Sequence, residues 1–195
     1  MIIPTKITDY SQNRDLLEFA IFAACVAGKN SDQIANKVNA LWMDSGFRTT
    51  LTIQFMQPPN SETAYLLYLR ILRGYLERYK MGQYARLSRV VYLLNQHSLI
   101  LKTMLWNQLV NLKGIGPKTA AFFLLHSRPH FDIPVIDVHI VKYMASKGIT
   151  IKVTSDIQKY LEYAALVKAA FEKDFPILTL AQADLHVWTT FSGRA

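Results

Sequence analysis

The chain has 195 residues, 51% of them hydrophobic, enough for one domain or two small ones with real cores. Lys and Arg outnumber Asp and Glu by 22 to 14, and the resulting +8 points to a polyanionic partner or to a merely basic soluble protein. The one cysteine, Cys25, excludes an internal disulfide frame and any cysteine-built zinc or iron–sulfur centre. No apolar run approaches the ~20 residues that span a bilayer and no signal peptide is recognisable, so a reducing cytoplasmic setting without membrane contact is expected.

Residues 1–8 read as an arm. From Asp9 a helical pattern begins, and Leu16, Leu17, Phe19, Ala20, Phe22 and Ala23 are apolar on most of its faces, as in a buried helix. Gly28-Lys29-Asn30 breaks it. Ser31 is expected to cap a helix over 32–43, with Ser45-Gly46 as its end. Residues 47–56 fit helix and strand equally well. Pro58-Pro59-Asn60 is a turn, and Ser61-Glu62 opens a helix carrying Leu66, Leu69, Ile71 and Leu72. Gly74 and Gly82 read as breaks between short segments, and 86–95 as a helix. Residues 126–133 read as a polar turn and 134–136 as extended chain. Asp137 is a strong N-cap for a helix over 138–147, closed by Gly148. Helices are expected over 155–173 and 180–191. No alternating strand pattern and no linker interrupts the series, so the fold class is all-α with about ten helices.

The organising stretch is Leu112–Ala120, Leu-Lys-Gly-Ile-Gly-Pro-Lys-Thr-Ala. A helix ends at Leu112. Gly114 and Gly116 permit a hairpin with φ > 0 and close backbone approach. Pro117 suits the first position of the next helix, because it has no N–H to leave unpaired. The hairpin therefore offers main-chain N–H groups at a helix N-terminus, flanked by Lys113 and Lys118, which is a phosphate-binding arrangement. An amine in Lys118's place could attack a sugar C1′, displace a base and form a Schiff base, from which the 3′ phosphate leaves by β-elimination. The Asp137 carboxylate could stabilise oxocarbenium charge or move protons. Taken singly, Asp137 also reads as an ordinary cap, and Lys118 as a phosphate-contacting or solvated lysine.

His126 and His130 have a metal-pair spacing, but Pro129 lies between them and no carboxylate cluster completes a site, so no metal is expected. His139 and His186 read as packing groups and Cys25 as a small buried hydrophobe. Trp42, Trp106 and Trp188 read as core before base platform.

The hairpin, the apolar stretch after it and Asp137-Val138-His139 together resemble the endonuclease III superfamily of DNA glycosylases. The resemblance implies two helical lobes with a helix–hairpin–helix and a DNA cleft between them. It implies residues 24–130 as the central lobe and 1–23 plus 131–195 as the second. It implies a bifunctional glycosylase and abasic-site lyase with Lys118 and Asp137 as catalytic residues. DNA contacts would come from Lys113, Gly114, Ile115, Gly116, Thr119 and Lys29. Asn30, His139, Trp188 and Arg194 would lie near the substrate pocket. Ala27–Asp32 resembles the family's loop facing DNA. Asp184-Leu-His-Val-Trp188 with Gly193-Arg194 resembles the helix preceding the iron–sulfur ligands, and the sequence given stops where the cysteine loop would follow. That resembles the compact, cluster-free 8-oxoguanine glycosylases of archaeal type, so 8-oxoguanine in double-stranded DNA is the expected substrate. No cofactor, a monomer and a nucleoid location are expected. Pro117 departs from the basic or aromatic residue expected before the lysine. An oxidised-pyrimidine glycosylase and a non-catalytic hairpin DNA-binding protein stay open as alternatives.

Overall fold

The computed structural model describes residues 1–3 and 13–193. The helix start expected at Asp9, most of the arm, and Arg194 lie outside them. Among the described residues there are ten helices and no strand. The chain divides after Ile115 into two compact units. The first carries α1 (Asn13–Cys25), α2 (Ser31–Met43), α3 (Ser45–Met56), α4 (Glu62–Arg78), α5 (Tyr84–Gln96) and α6 (Trp106–Val110). The second carries α7 (Pro117–Ser127), α8 (Val138–Ser146), α9 (Ile157–Asp174) and α10 (Leu180–Phe191). This division falls before α7, where the sequence places a lobe boundary at 130/131 and residues 1–23 in the second lobe. The packing explains the difference: α1 packs on α2 and α5, and α7 packs on α10.

In the first unit α1 is the central helix. Its residues from Leu16 to Cys25 are all buried, as an apolar pattern on every face requires. Each buried Leu or Phe contributes about 1.5–3 kcal/mol relative to exposure. Cys25 is fully buried among them, and that burial pushes its thiol pKa up to about 12, against the smaller opposing fields of Lys29 and Arg86. Ile2 is also buried, and its main chain exchanges two hydrogen bonds with the Asn39 side chain.

Two sequence expectations fail here for one reason, the reach of a capping side chain. Asn30, not Ser31, caps α2: its Oδ1 accepts from the Asp32 and Gln33 amides. Asp44 closes α2 and at once caps α3, taking the Gly46 and Phe47 amides on Oδ1 and the Tyr79 hydroxyl and Arg78 guanidinium on Oδ2. Ser45-Gly46 therefore opens a helix, and the ambiguous 47–56 stretch is helical. Gly74 does not break α4, which runs through it with open space where a Cβ would sit. The chain turns instead at Lys80, Gly82 and Gln83, all at positive φ.

In the second unit α7 continues through Ser127, so His126 is a buried helix residue and not part of a turn. Gly148 ends α8 as expected: at φ +76° its N–H donates to Ala145 and that of Ile149 to Met144, a Schellman closure. Asp156 caps α9, which begins at Ile157, two residues after the expected start at Ser155. The core is aromatic. Tyr143 packs on Phe171, Phe175 and Phe191, and its hydroxyl donates to Asp174, which also pairs with Lys147.

Candidate active site

The hairpin begins in the first unit. Gly114 stands at φ +97°, a conformation that side-chain-bearing residues rarely adopt. A Cβ there would lie 2.7 Å from Val90 Cγ2 and 3.3 Å from Arg86 Cγ, so the turn is seated directly on α5. Ile115 is buried, and its N–H is taken up in closing the turn, donating to the Leu112 carbonyl. Gly116 differs from the sequence reading. It is extended (φ −93°), caps α7 without a side chain, and has nothing within 4 Å of where a Cβ would sit. The two glycines therefore answer different needs. Replacing Gly114 with Ala should destabilise the protein by about 2 kcal/mol through strain and crowding. Replacing Gly116 with Ala should cost less, about 0.5–1 kcal/mol of N-cap preference. Paired thermal melts check both, and equal losses would contradict the assignment.

Pro117 occupies the first position of α7, as predicted, and Lys118 and Thr119 follow in its first turn, both half-buried. With a glycine cap no side chain competes for the first amides of this helix. Lys113 is exposed on the hairpin.

Asp137 is the N-cap of α8 and is buried. Its Oδ1 accepts from the His139 amide at 2.8 Å and the Ile140 amide at 3.0 Å. Both bonds fall on one oxygen, and among the described residues none is made by Oδ2. The capping role and a chemical role are therefore compatible in one carboxylate, each on its own oxygen.

The stretch leading to Asp137 is held by Tyr160, which no sequence motif indicated, and by Asp184, which the sequence offered only as part of the Asp184–Trp188 pattern. Tyr160 of α9, fully buried, donates its hydroxyl to the Pro134 carbonyl at 3.0 Å and accepts from the Ile136 amide at 3.1 Å. That pins the extended segment from inside, and burial pushes the Tyr160 pKa up. Asp184 of α10 and His126 of α7 form a buried pair at 3.0 Å. Burial pushes the Asp184 pKa up, with His126 and the Val135 amide opposing. His126 thus pairs with a carboxylate of its own unit, and no group of three or more His, Cys, Asp or Glu side chains able to hold a metal ion occurs among the described residues.

The remaining candidates divide between the units. His139 Nδ1–H donates to the Phe191 carbonyl, and its ring meets Trp188 edge-on at 6.2 Å, so these two pocket candidates are neighbours. Trp42 and Trp106 are buried core residues of the first unit. Lys29 donates to the Met81 carbonyl, and burial lowers its pKa. Asn30 is exposed and commits its Oδ1 to capping α2.

No protein-family model matches the sequence. The all-helical fold is similar to that of 8-oxoguanine DNA glycosylases in solved structures. The 8-oxoguanine glycosylase/lyase of Methanocaldococcus jannaschii, in complex with a 15mer DNA containing 8-oxoguanine, matches with a TM-score of 0.71 at 20% identity, over 94% of this chain and 84% of that one. A structure of the 8-oxoguanine DNA glycosylase of the same organism gives 0.69 at 20% identity over 94% and 80%. The 8-oxoguanine DNA glycosylase of Thermotoga maritima gives 0.65 at 18% identity over 94% and 83%. At these identities the likeness establishes the fold.

Proposed function

We propose that this chain is a DNA glycosylase and abasic-site lyase that removes 8-oxoguanine from double-stranded DNA. The observation that carries this reading is the pair of helix starts in the second unit. An amine stands in the uncapped first turn of α7, and a carboxylate with one oxygen to spare caps α8. The fold shared with 8-oxoguanine glycosylases supplies the choice of base.

The chemistry follows from the two groups. The damaged nucleotide must leave the stack, since C1′ cannot be reached inside a duplex. A backbone phosphate oxygen accepts from hairpin and α7 amides, where the helix dipole favours negative charge. The Lys118 amine, deprotonated, bonds to C1′ as the C1′–N bond to the base breaks and the base leaves with a proton. The sugar ring opens to the imine. Loss of a C2′ proton then expels the 3′ phosphate, cutting the strand. The Asp137 carboxylate stabilises positive charge at C1′ and accepts the proton that the amine must lose. No cofactor takes part, a monomer suffices, and the work is done on chromosomal DNA in the nucleoid. No helix among the described residues is long and apolar enough to cross a membrane.

The test is a panel of duplexes with one lesion each, scored separately for released base and for strand cleavage. Release of 8-oxoguanine and nicking of an abasic duplex are expected. Release of oxidised pyrimidines in its place would move the substrate to the endonuclease III class. DNA binding without any nicking would reduce the chain to a non-catalytic hairpin protein.

A further inference from the structure

Arg86, in the first turn of α5, spends its guanidinium on the main chain. Nη1 donates to the Gly114 carbonyl at 2.8 Å, Nη2 to the Ala24 carbonyl at 2.7 Å, and Nε to Gln83 Oε1 at 2.7 Å. All these partners belong to the first unit. No carboxylate pairs with Arg86 among the described residues, although it is half-buried and its burial lowers its pKa. A half-buried cation without a counter-charge is a standing desolvation cost. Lys29 and Lys37 beside it also donate to carbonyls, those of Met81 and Lys80. Arg86, Lys29 and Lys37 thus place three cations close enough to feel one another's fields, an arrangement that favours a phosphodiester.

The geometry at Gly114 gives the bond its meaning. A trans peptide is planar, so holding the Gly114 carbonyl fixes the direction of the Ile115 N–H in the same plane. That N–H donates to Leu112, closing the turn. Gly116, the next residue, is the side-chain-free cap of α7. A lysine could hold one of the two carbonyls but not both, since only the rigid guanidinium fork serves them together.

We propose that Arg86 is the positioning residue of the hairpin, a guanidinium clamp without a carboxylate partner that holds the turn at Gly114 in the form that receives a DNA phosphate. This rests on the DNA reading above. The clamp joins the end of α1 to the hairpin, so the phosphate-binding turn is built on the central helix of the first unit.

The experiment compares wild type, Arg86→Lys and Gln83→Ala on a duplex with a non-cleavable abasic analogue, over a range of KCl, beside turnover kinetics and amide exchange of residues 112–119. Arg86→Lys keeps the charge and most of the packing, and Gln83→Ala only loosens the fork. Arg86→Lys should weaken duplex binding about tenfold and lower the log–log salt slope by roughly 0.9, the loss of one phosphate. KM should rise about as much as affinity falls, while kcat changes by less than about threefold. Exchange across the hairpin should quicken, and Gln83→Ala should lie between the two. Unchanged affinity, slope and exchange with only a lower melting temperature would overturn the inference and leave the enzyme reading intact. A wild type that binds no duplex would overturn both.

Discussion

Lys118→Gln should abolish borohydride-trapped protein–DNA adducts and lower strand cleavage by at least about 10³-fold, because no other amine stands in its place to form the Schiff base. The substitution is structurally mild. Lys118 is half-buried in the first turn of α7, Gln has nearly the same helix propensity, and a cation at a helix N-terminus is not favoured by the dipole. Stability should therefore change by no more than about 0.5 kcal/mol. Duplex affinity should fall by only a few-fold, the loss of one charge contact. Trapping that survives in this variant would remove Lys118 as nucleophile. Loss of trapping together with collapse of the melting transition would show a folding role instead.

The backbone features around the proposed catalytic pair were legible in the sequence because their signals are local. Pro117 at a helix start, Asp137 ahead of an apolar helix and Gly148 behind it each act within four residues of chain, so a short window contains the whole physical cause. The same logic misplaced the α2 cap by one residue, since Asn30 and Ser31 are both good caps and only the backbone decides between them. The groups that hold the site were not legible. Arg86 reaches Gly114 and Ala24 across 28 and 62 residues, Tyr160 reaches Pro134 across 26, and Asp184 reaches His126 across 58. A tyrosine in α9 beside Ala164 and Val167 is indistinguishable from an ordinary core residue until the fold brings it under the extended segment. The Gly114–Gly116 pair lies between these cases. The turn was readable, but which glycine bears the positive φ depends on the seat that α5 provides.

Asp137→Asn separates cap from chemistry, because Asn and Asp are nearly equivalent N-caps. The Asn side-chain oxygen can accept from the His139 and Ile140 amides just as Asp137 Oδ1 does, so α8 should remain capped and the melting temperature nearly unchanged. What is lost is the negative charge. Release of 8-oxoguanine should slow by about 10²–10³-fold, the scale of removing one preorganised electrostatic group, while duplex affinity stays within about threefold. Asp137→Ala removes both functions and should add a stability loss of about 1 kcal/mol. Single-turnover base release, duplex affinity and thermal melts on the two variants give the three readings. An Asn variant that releases the base at the wild-type rate would leave Asp137 as a helix cap alone, and the chemistry would then fall to Lys118 without an electrostatic partner from α8.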